Sequence, residues 1–365
     1  MKKRADGRYC KQILVGYMPN GKRKMKTIYG KTIKEVEKKS RELYGQIDSG
    51  LKICDDITVA EWSDIWLKTF KTNIANNTYA RYQGIIENQI KPIIGDIPLV
   101  SVRLNIIQGM INDLKDSYSS ATIKKIKAVL YQIFKQAVKS QYIITNPVDG
   151  VDTPQLQQTD RTPISEECIK KLIQFCSDGY KHACFIMTLL YTGMRRGEIL
   201  ALTVDDIDIE NRLIYVNKAV EFIKNSPNIK TPKTKSGIRS IPIVDSLLPY
   251  ISKVISDKKK EDIVFTDDKG NMYNKTGIQR MYKNFIIEFN EYLGEAKVYF
   301  TMHQFRHTFC TMLYNAGVDV KTAQDILGHS SVNVTLNIYT HLESKMKKIN
   351  TDKLNKYMQS YIDIA

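Results

Sequence analysis

The stretch Ala183-Cys184-Phe185-Ile186-Met187-Thr188-Leu189-Leu190-Tyr191-Thr192-Gly193-Met194-Arg195-Arg196-Gly197-Glu198 decides how the second half of this chain is read. Residues Ala183 to Tyr191 are apolar as a buried helix is, and Thr192-Gly193 makes a sharp turn before a second helix. Arg195 therefore stands at a helix start beneath a tight turn, where its guanidinium can point into a cleft. Glu198 follows one helical turn on and reads as a residue that holds the constellation in place rather than one that performs chemistry. Arg196 points elsewhere on the helix and reads as structural or as a backbone contact.

Two further runs lie closer to the C-terminus: His303-Gln304-Phe305-Arg306-His307-Thr308 and Leu327-Gly328-His329-Ser330, with Tyr339 ten residues after His329. His303 and Arg306 share one face of a helix, and Gly328 fits a helix C-cap. A phenol, two guanidiniums and two imidazoles form a kit for cutting a phosphodiester without a metal. Arginines neutralise charge on the non-bridging oxygens, and a tyrosine attacks phosphorus to form a covalent intermediate. His303 and His307 have a spacing that can bind zinc on a helix. Position 304 is Gln rather than the Glu of the metalloprotease pattern, and no third ligand is evident, so no metal is expected.

These runs, in this order, resemble the tyrosine recombinase (phage integrase) family, most of all the integrases of conjugative transposons and prophages that carry an N-terminal arm-binding domain. The resemblance implies that Arg195 and Arg306 clamp the scissile phosphate, where a bidentate guanidinium suits two oxygens better than a point charge. It implies that His303 accepts or relays the phenol proton, that His329 donates to a non-bridging oxygen and that Tyr339 is the nucleophile. The run Thr231-Pro232-Lys233-Thr234-Lys235-Ser236-Gly237-Ile238-Arg239 resembles the hairpin that carries the family's catalytic lysine. Lys233 is taken as the general acid that protonates the departing 5′-oxygen, with Lys235 as the alternative. The implied activity is site-specific DNA recombination, in which a mobile element is integrated and excised through a 3′-phosphotyrosyl link and strand exchange. That chemistry needs no cofactor. The implied partners are double-stranded DNA at core and arm sites, a homotetramer on paired sites and an accessory directionality factor. Two rivals stand beside this reading: relaxation of DNA in the manner of a type IB topoisomerase, and a catalytically inactive DNA-binding regulator.

The bulk of the sequence agrees with a nucleic-acid partner. The 365 residues carry a net charge of +16 with 42% hydrophobic and 26% charged residues, so a large core and a basic surface coexist. No apolar run is long enough to span a bilayer, and Met1 to Gly7 lack the apolar core of a secretory signal. The matching expectation is a bacterial cytoplasmic, nucleoid-associated protein. The six cysteines show no Cys-x-x-Cys pair and read as free thiols.

The expected fold class is α+β, mainly helical and multidomain. Residues 1–56 read as an arm-type DNA-binding domain, a small basic β-hairpin or sheet backed by one helix. Eleven Lys/Arg face one acid in residues 1–34, and Arg8, Lys11, Lys22, Arg23, Lys24 and Lys26 are its candidate DNA contacts. Asn20-Gly21 signals the hairpin turn, and Thr32-Ile33-Lys34-Glu35 reads as a capping box. Residues 57–150 read as a helical core-binding domain opened by a second capping box, Thr58-Val59-Ala60-Glu61. Its clearest feature is the stripe Ile123, Ile126, Val129, Leu130, Ile133, Phe134, Ala137 and Val138 at helical period. Arg81, Lys124 and Lys127 are the candidate phosphate contacts there. Residues 151–163 read as a linker and 164–345 as a mostly helical catalytic domain. In the latter, Leu213–Val216, Ala219–Ile223 and Ile238–Ile243 are expected to form one small antiparallel sheet. Residues 346–365 read as a tail helix, a protomer contact made in cis or in trans.

Overall fold

A computed structural model of the chain describes residues 3–17, 22–48, 57–155, 162–232, 235–294, 297–339 and Gln359. The expected turn at Asn20-Gly21, Lys233 and the tail helix apart from Gln359 lie outside those residues. The chain divides into two compact units, 1–158 and 159–365.

In the first unit, β1 (Tyr9–Tyr17) and β2 (Arg23–Gly30) pair antiparallel, with a bulge between Leu14 and Gly16. The last pair is Tyr17 with Arg23, so the connection is longer than a two-residue Asn-Gly turn. Helix α1 (Ile33–Asp48) packs on one face, where Ile13, Ile28, Val36 and Leu43 are buried together. Thr32 caps it by accepting from Glu35 N, while Glu35 reaches past the expected partner to Lys31 N.

The helical part of this unit comprises α2 (Val59–Phe70), α3 (Asn76–Ile85), α4 (Lys91–Ile94), α5 (Leu104–Asp113) and α6 (Ser120–Lys139). Thr58 and Glu61 form the reciprocal capping box expected at the start of α2. A π-turn, Ile86–Ile90, joins α3 to α4 just before Pro92. Proline lacks an amide hydrogen and crowds the carbonyl four residues back, and the wider turn relieves both. The α6 stripe from Ile123 to Ala137 is buried against Trp62 and Trp66, and the Trp62 indole donates to Ile133 O at 3.0 Å.

The second unit is built round α8 (Ala183–Thr192), whose residues are almost all buried. Packed with it are α7 (Glu166–Ser177), α9 (Arg196–Ile199), α10 (Leu248–Ile255) and α12 (Met302–Asn315), while α11 (Lys275–Leu293) packs on α7 and α13 (Val320–Leu327) on α12. Residues 332–339 are again helical. The single expected sheet is in fact two. Strands β3 (Ile207–Asp208), β4 (Leu213–Val216) and β7 (Arg239–Pro242) form one, while β5 (Ala219–Ile223) pairs with β6 (Ser226–Lys230) in a separate hairpin. Strand β6 escapes sequence reading because Ser-Pro-Asn-Ile-Lys does not alternate and holds Pro227. A two-stranded hairpin has only edge strands, which tolerate proline.

Candidate active site

The second unit brings three arginines to the C-terminal end of α13. Arg239 Nε donates to Ile326 O at 2.7 Å, Arg306 Nη2 to Leu327 O at 2.6 Å and Arg195 Nη2 to Gly328 O at 2.8 Å. These are successive carbonyls that a helix end leaves without internal partners, and they carry the negative end of its dipole. Gly328 closes the helix in the left-handed conformation at φ 67°. A Cβ there would come within 2.8 Å of Ser236 O and 2.9 Å of Arg239 Cδ, so glycine is needed twice over.

Glu198 completes the electrostatics. Its buried carboxylate accepts from Arg195 N at 2.9 Å, Arg195 Nη1 at 2.6 Å and Arg239 Nη2 at 2.8 Å. Burial pushes this carboxyl up, but the Arg239 hydrogen bonds and the charges of Arg239 and Arg195 outweigh it and hold it below the usual range. One carboxylate and a row of carbonyl dipoles thus offset the mutual repulsion of like charges.

The members differ in what they leave open. Arg195 is 44% exposed, and a guanidinium has five N–H donors, so its bonds to Glu198 and Gly328 leave donors for a ligand. Arg306 is only 3% exposed and also donates to Gly193 O at 3.1 Å, the C-cap of α8. Burial, and then the charge of Arg195, lower its pKa to about 9, so it stays cationic at neutral pH. Arg239 spends its donors on Ile326, Gly237 and Glu198. It holds the others rather than facing solvent.

His329 follows directly. Its Nδ1 lies 2.8 Å from Thr335 Oγ1, and Gln324 holds its backbone at both N and O. Burial and the charges of Arg306, Arg195, Arg239 and His303 push its pKa down to about 3, so the ring is neutral at pH 7. His303 is exposed on the first turn of α12 and lines, with Arg195, Tyr282 and Phe300, a cleft of about 570 Å³. Gln304, unsuited to zinc, closes a capping box with Thr301 and so starts the helix that carries His303 and Arg306. Among the described residues no cluster of three or more His, Cys, Asp or Glu could hold a metal.

Tyr339 bonds to a different partner. It is 5% exposed, sits among Phe309, Cys310, Ala323 and Leu327, and meets the Tyr314 ring edge-on at 4.7 Å between centroids. Its hydroxyl donates to Val318 O at 3.2 Å. Burial and the charges of Cys310, Asp319 and Tyr314 all raise its pKa above the usual phenol value. This arrangement therefore disfavours a phenolate at Tyr339. Glu198, Arg195, Arg306, His303 and His329 come together; Tyr339 is held in a seat of its own.

Sequence reasoning missed Arg239 and Thr335. Arg239 had a signal, since it shares the parity of buried Ile241 and Ile243 along its strand. Thr335 had none. It is 0% exposed between Val334 and Leu336, both of them exposed.

Of the basic residues singled out, Lys11 and Lys26 lie on the helix-packed face of the hairpin by register with Ile28 and Ile13, and Lys24 shares the parity of Lys26. Lys11 Nζ rests 5.3 Å from the Tyr44 ring. Arg23 shares the other face with Met25, Thr27 and Tyr29, while Lys22 is exposed just before β2. Arg8 stacks over Tyr29 and pairs with Asp6. Arg81 lies over Tyr82, Lys124 is exposed, and Lys127 Nζ donates to Val151 O.

Residues 163–346, about half of the chain, match the phage integrase family, and residues 58–115 match the N-terminal SAM-like domain of phage integrases. The chain belongs to the phage integrase family. It is a tyrosine recombinase, one of a family of enzymes that cut and rejoin DNA. A tyrosine recombinase XerC-like protein of Caldanaerobacter subterraneus subsp. tengcongensis is 31% identical across 95% of each chain. The ICEBs1 integrase of Bacillus subtilis is 23% identical over 97% of this chain and 99% of its own. Among solved structures, the Tn1549 transposon integrase in complex with transposon right end DNA matches with a TM-score of 0.71. It is 26% identical, over 80% of this chain and 99% of that one. A lambda integrase dimer bound to a core site, 18% identical over 93% of each chain with a TM-score of 0.61, shares the fold.

Proposed function

We propose that this recombinase integrates and excises a mobile element, with Arg195 and Arg306 as the phosphate clamp, His329 as a third donor and Tyr339 as the nucleophile. Tyr339 attacks phosphorus, its phenol proton passes to His303, and a 5′-hydroxyl departs with a proton from the lysine of the 231–239 segment, Lys233 or Lys235. The freed hydroxyl of a partner strand then attacks the 3′-phosphotyrosyl link and regenerates the phenol. The observation that carries this reading is the convergence of Arg195, Arg306 and His329 on the end of α13, where bonds to Gly328 and Leu327 fix the two guanidiniums beside the histidine. Preorganised donors of this kind stabilise the charge that builds on a phosphoryl group in the transition state.

The seat of Tyr339 against Val318 and Tyr314 is in this reading a resting position. Residues 336–339 leave it when DNA is bound and carry the phenol to the clamp, while Thr335 stays against His329. Residues 1–56 bind arm sites and 57–150 bind core sites, the 151–163 segment links them to the catalytic domain, and the tail joins protomers of a tetramer on paired sites. An accessory factor sets direction, and the protein works at the nucleoid. The test is incubation with nicked duplexes that carry element ends. The wild type should form covalent adducts, and Tyr339→Phe should bind the same duplexes without forming any. Adduct formation by Tyr339→Phe would remove Tyr339 from its role. Relaxation of supercoiled plasmid without strand exchange would favour a topoisomerase.

A further inference from the structure

We infer that the Thr335 hydroxyl is a positioning group for this reaction: it donates to His329 Nδ1 and so holds the histidine in the tautomer whose Nε2 carries the proton offered to phosphate. The inference rests on the reading of His329 as a donor and adds what orients it.

The two atoms are 2.8 Å apart, and both side chains are buried, Thr335 completely. A threonine hydroxyl has one hydrogen, which must find an acceptor when water is excluded. Thr188, Thr192, Thr308 and Thr311 send theirs to the carbonyl four residues back in their helices. Thr335 instead turns its hydroxyl to the imidazole, its partner among the described residues. Were Nδ1 to carry the ring proton, the hydroxyl would accept, and its own hydrogen would be buried without a partner. The neutral ring has a single proton, so the atom that accepts from Thr335 decides which nitrogen can donate outward. Thr335 also lies one helical turn before Tyr339 within residues 332–339, so one short helix carries both the nucleophile and the group that orients His329.

The experiment uses the full chain labelled with ¹⁵N-histidine at pH 7. Two-bond ¹H–¹⁵N correlations report the tautomer of each of the five histidines, and His329 is assigned by its loss in His329→Gln. The wild type should show Nε2–H at His329, Thr335→Val a loss of that preference, and Thr335→Ser its return. In single-turnover cleavage of a nicked duplex carrying element ends, Thr335→Val should be slower by roughly tenfold to a hundredfold, as for other groups that orient a working histidine. Its Kd for the duplex should be unchanged, and Thr335→Ser should recover the rate. An Nδ1–H tautomer in the wild type would overturn the proposal, and that measurement needs no variant to fold. So would wild-type cleavage by Thr335→Val, or a Thr335→Ser as slow as Thr335→Val. Wild-type cleavage by His329→Gln would instead sink the donor role on which the proposal stands, and the two failures are told apart by which variant keeps its rate.

Discussion

Glu198 is a buried carboxylate shared by Arg195 and Arg239, and its removal from water is tolerated because both partners are in place. Arg239→Met takes away the buried partner and should lower unfolding free energy by about 3 kcal/mol, read from urea denaturation; a loss under about 1 kcal/mol would show that the pair is not structural. His329 is likewise buried. Its folded-state pKa is depressed from 6.5 to about 3, so the unfolded chain binds the extra proton first as pH falls. Stability contributed by the neutral ring is therefore present above the ordinary histidine range and lost as pH drops below 6.5. One such proton gives a slope of up to about 1.4 kcal/mol per pH unit. Denaturation at pH 7, 6 and 5 should show a shallower fall in His329→Gln than in the wild type, and equal slopes would contradict the burial argument. Much of this site is legible because Arg195, Glu198, Arg306 and His329 lie in short runs that resemble the family's motifs and whose turns and helix starts fix their positions. Thr335 is not, because its apolar neighbours face outward and the usual burial pattern is reversed there.

At the scale of elements, the end of α13 organises the arginines and the helical stretch 332–339 decides where the phenol rests. If the Tyr314 ring helps keep Tyr339 in its seat, Tyr314→Leu removes an aromatic contact worth about 0.5–1.5 kcal/mol. Single-turnover cleavage should then quicken by roughly two- to tenfold, and an unchanged or slower rate would place the limiting step elsewhere. The position of Tyr339 could not be foreseen, since its motif specifies a role and not a conformation. Helices and their caps were readable because capping boxes and apolar stripes are local signals. The separation of β5–β6 from β4–β7 was not, because pairing is settled by register across the unit rather than within a strand. The N-terminal hairpin shows the same limit: a count of lysines ignores that Lys11 and Lys26 share the face covered by α1. Arg23→Ala, on the open face, should weaken arm-site binding and reduce the slope of log affinity against log salt by about 1, whereas Lys11→Ala should leave that slope unchanged. The reverse result would mean that the helix-covered face meets DNA.

Across the whole molecule, a net charge of +16 and a family of DNA-cutting relatives point the same way, and the charge has an evident use in drawing in a polyanion. Composition foretold the class of partner, and motifs foretold the chemistry. The Tyr339 hydroxyl is engaged by Val318 O, and the proposed reaction requires it to exchange that partner for the scissile phosphate. The most direct measurement is peptide mapping of the covalent adduct trapped on a nicked duplex bearing element ends. After protease digestion, mass spectrometry should place the nucleotide remnant on Tyr339, out of the twenty-one tyrosines of the chain. A remnant on any other residue would contradict the account.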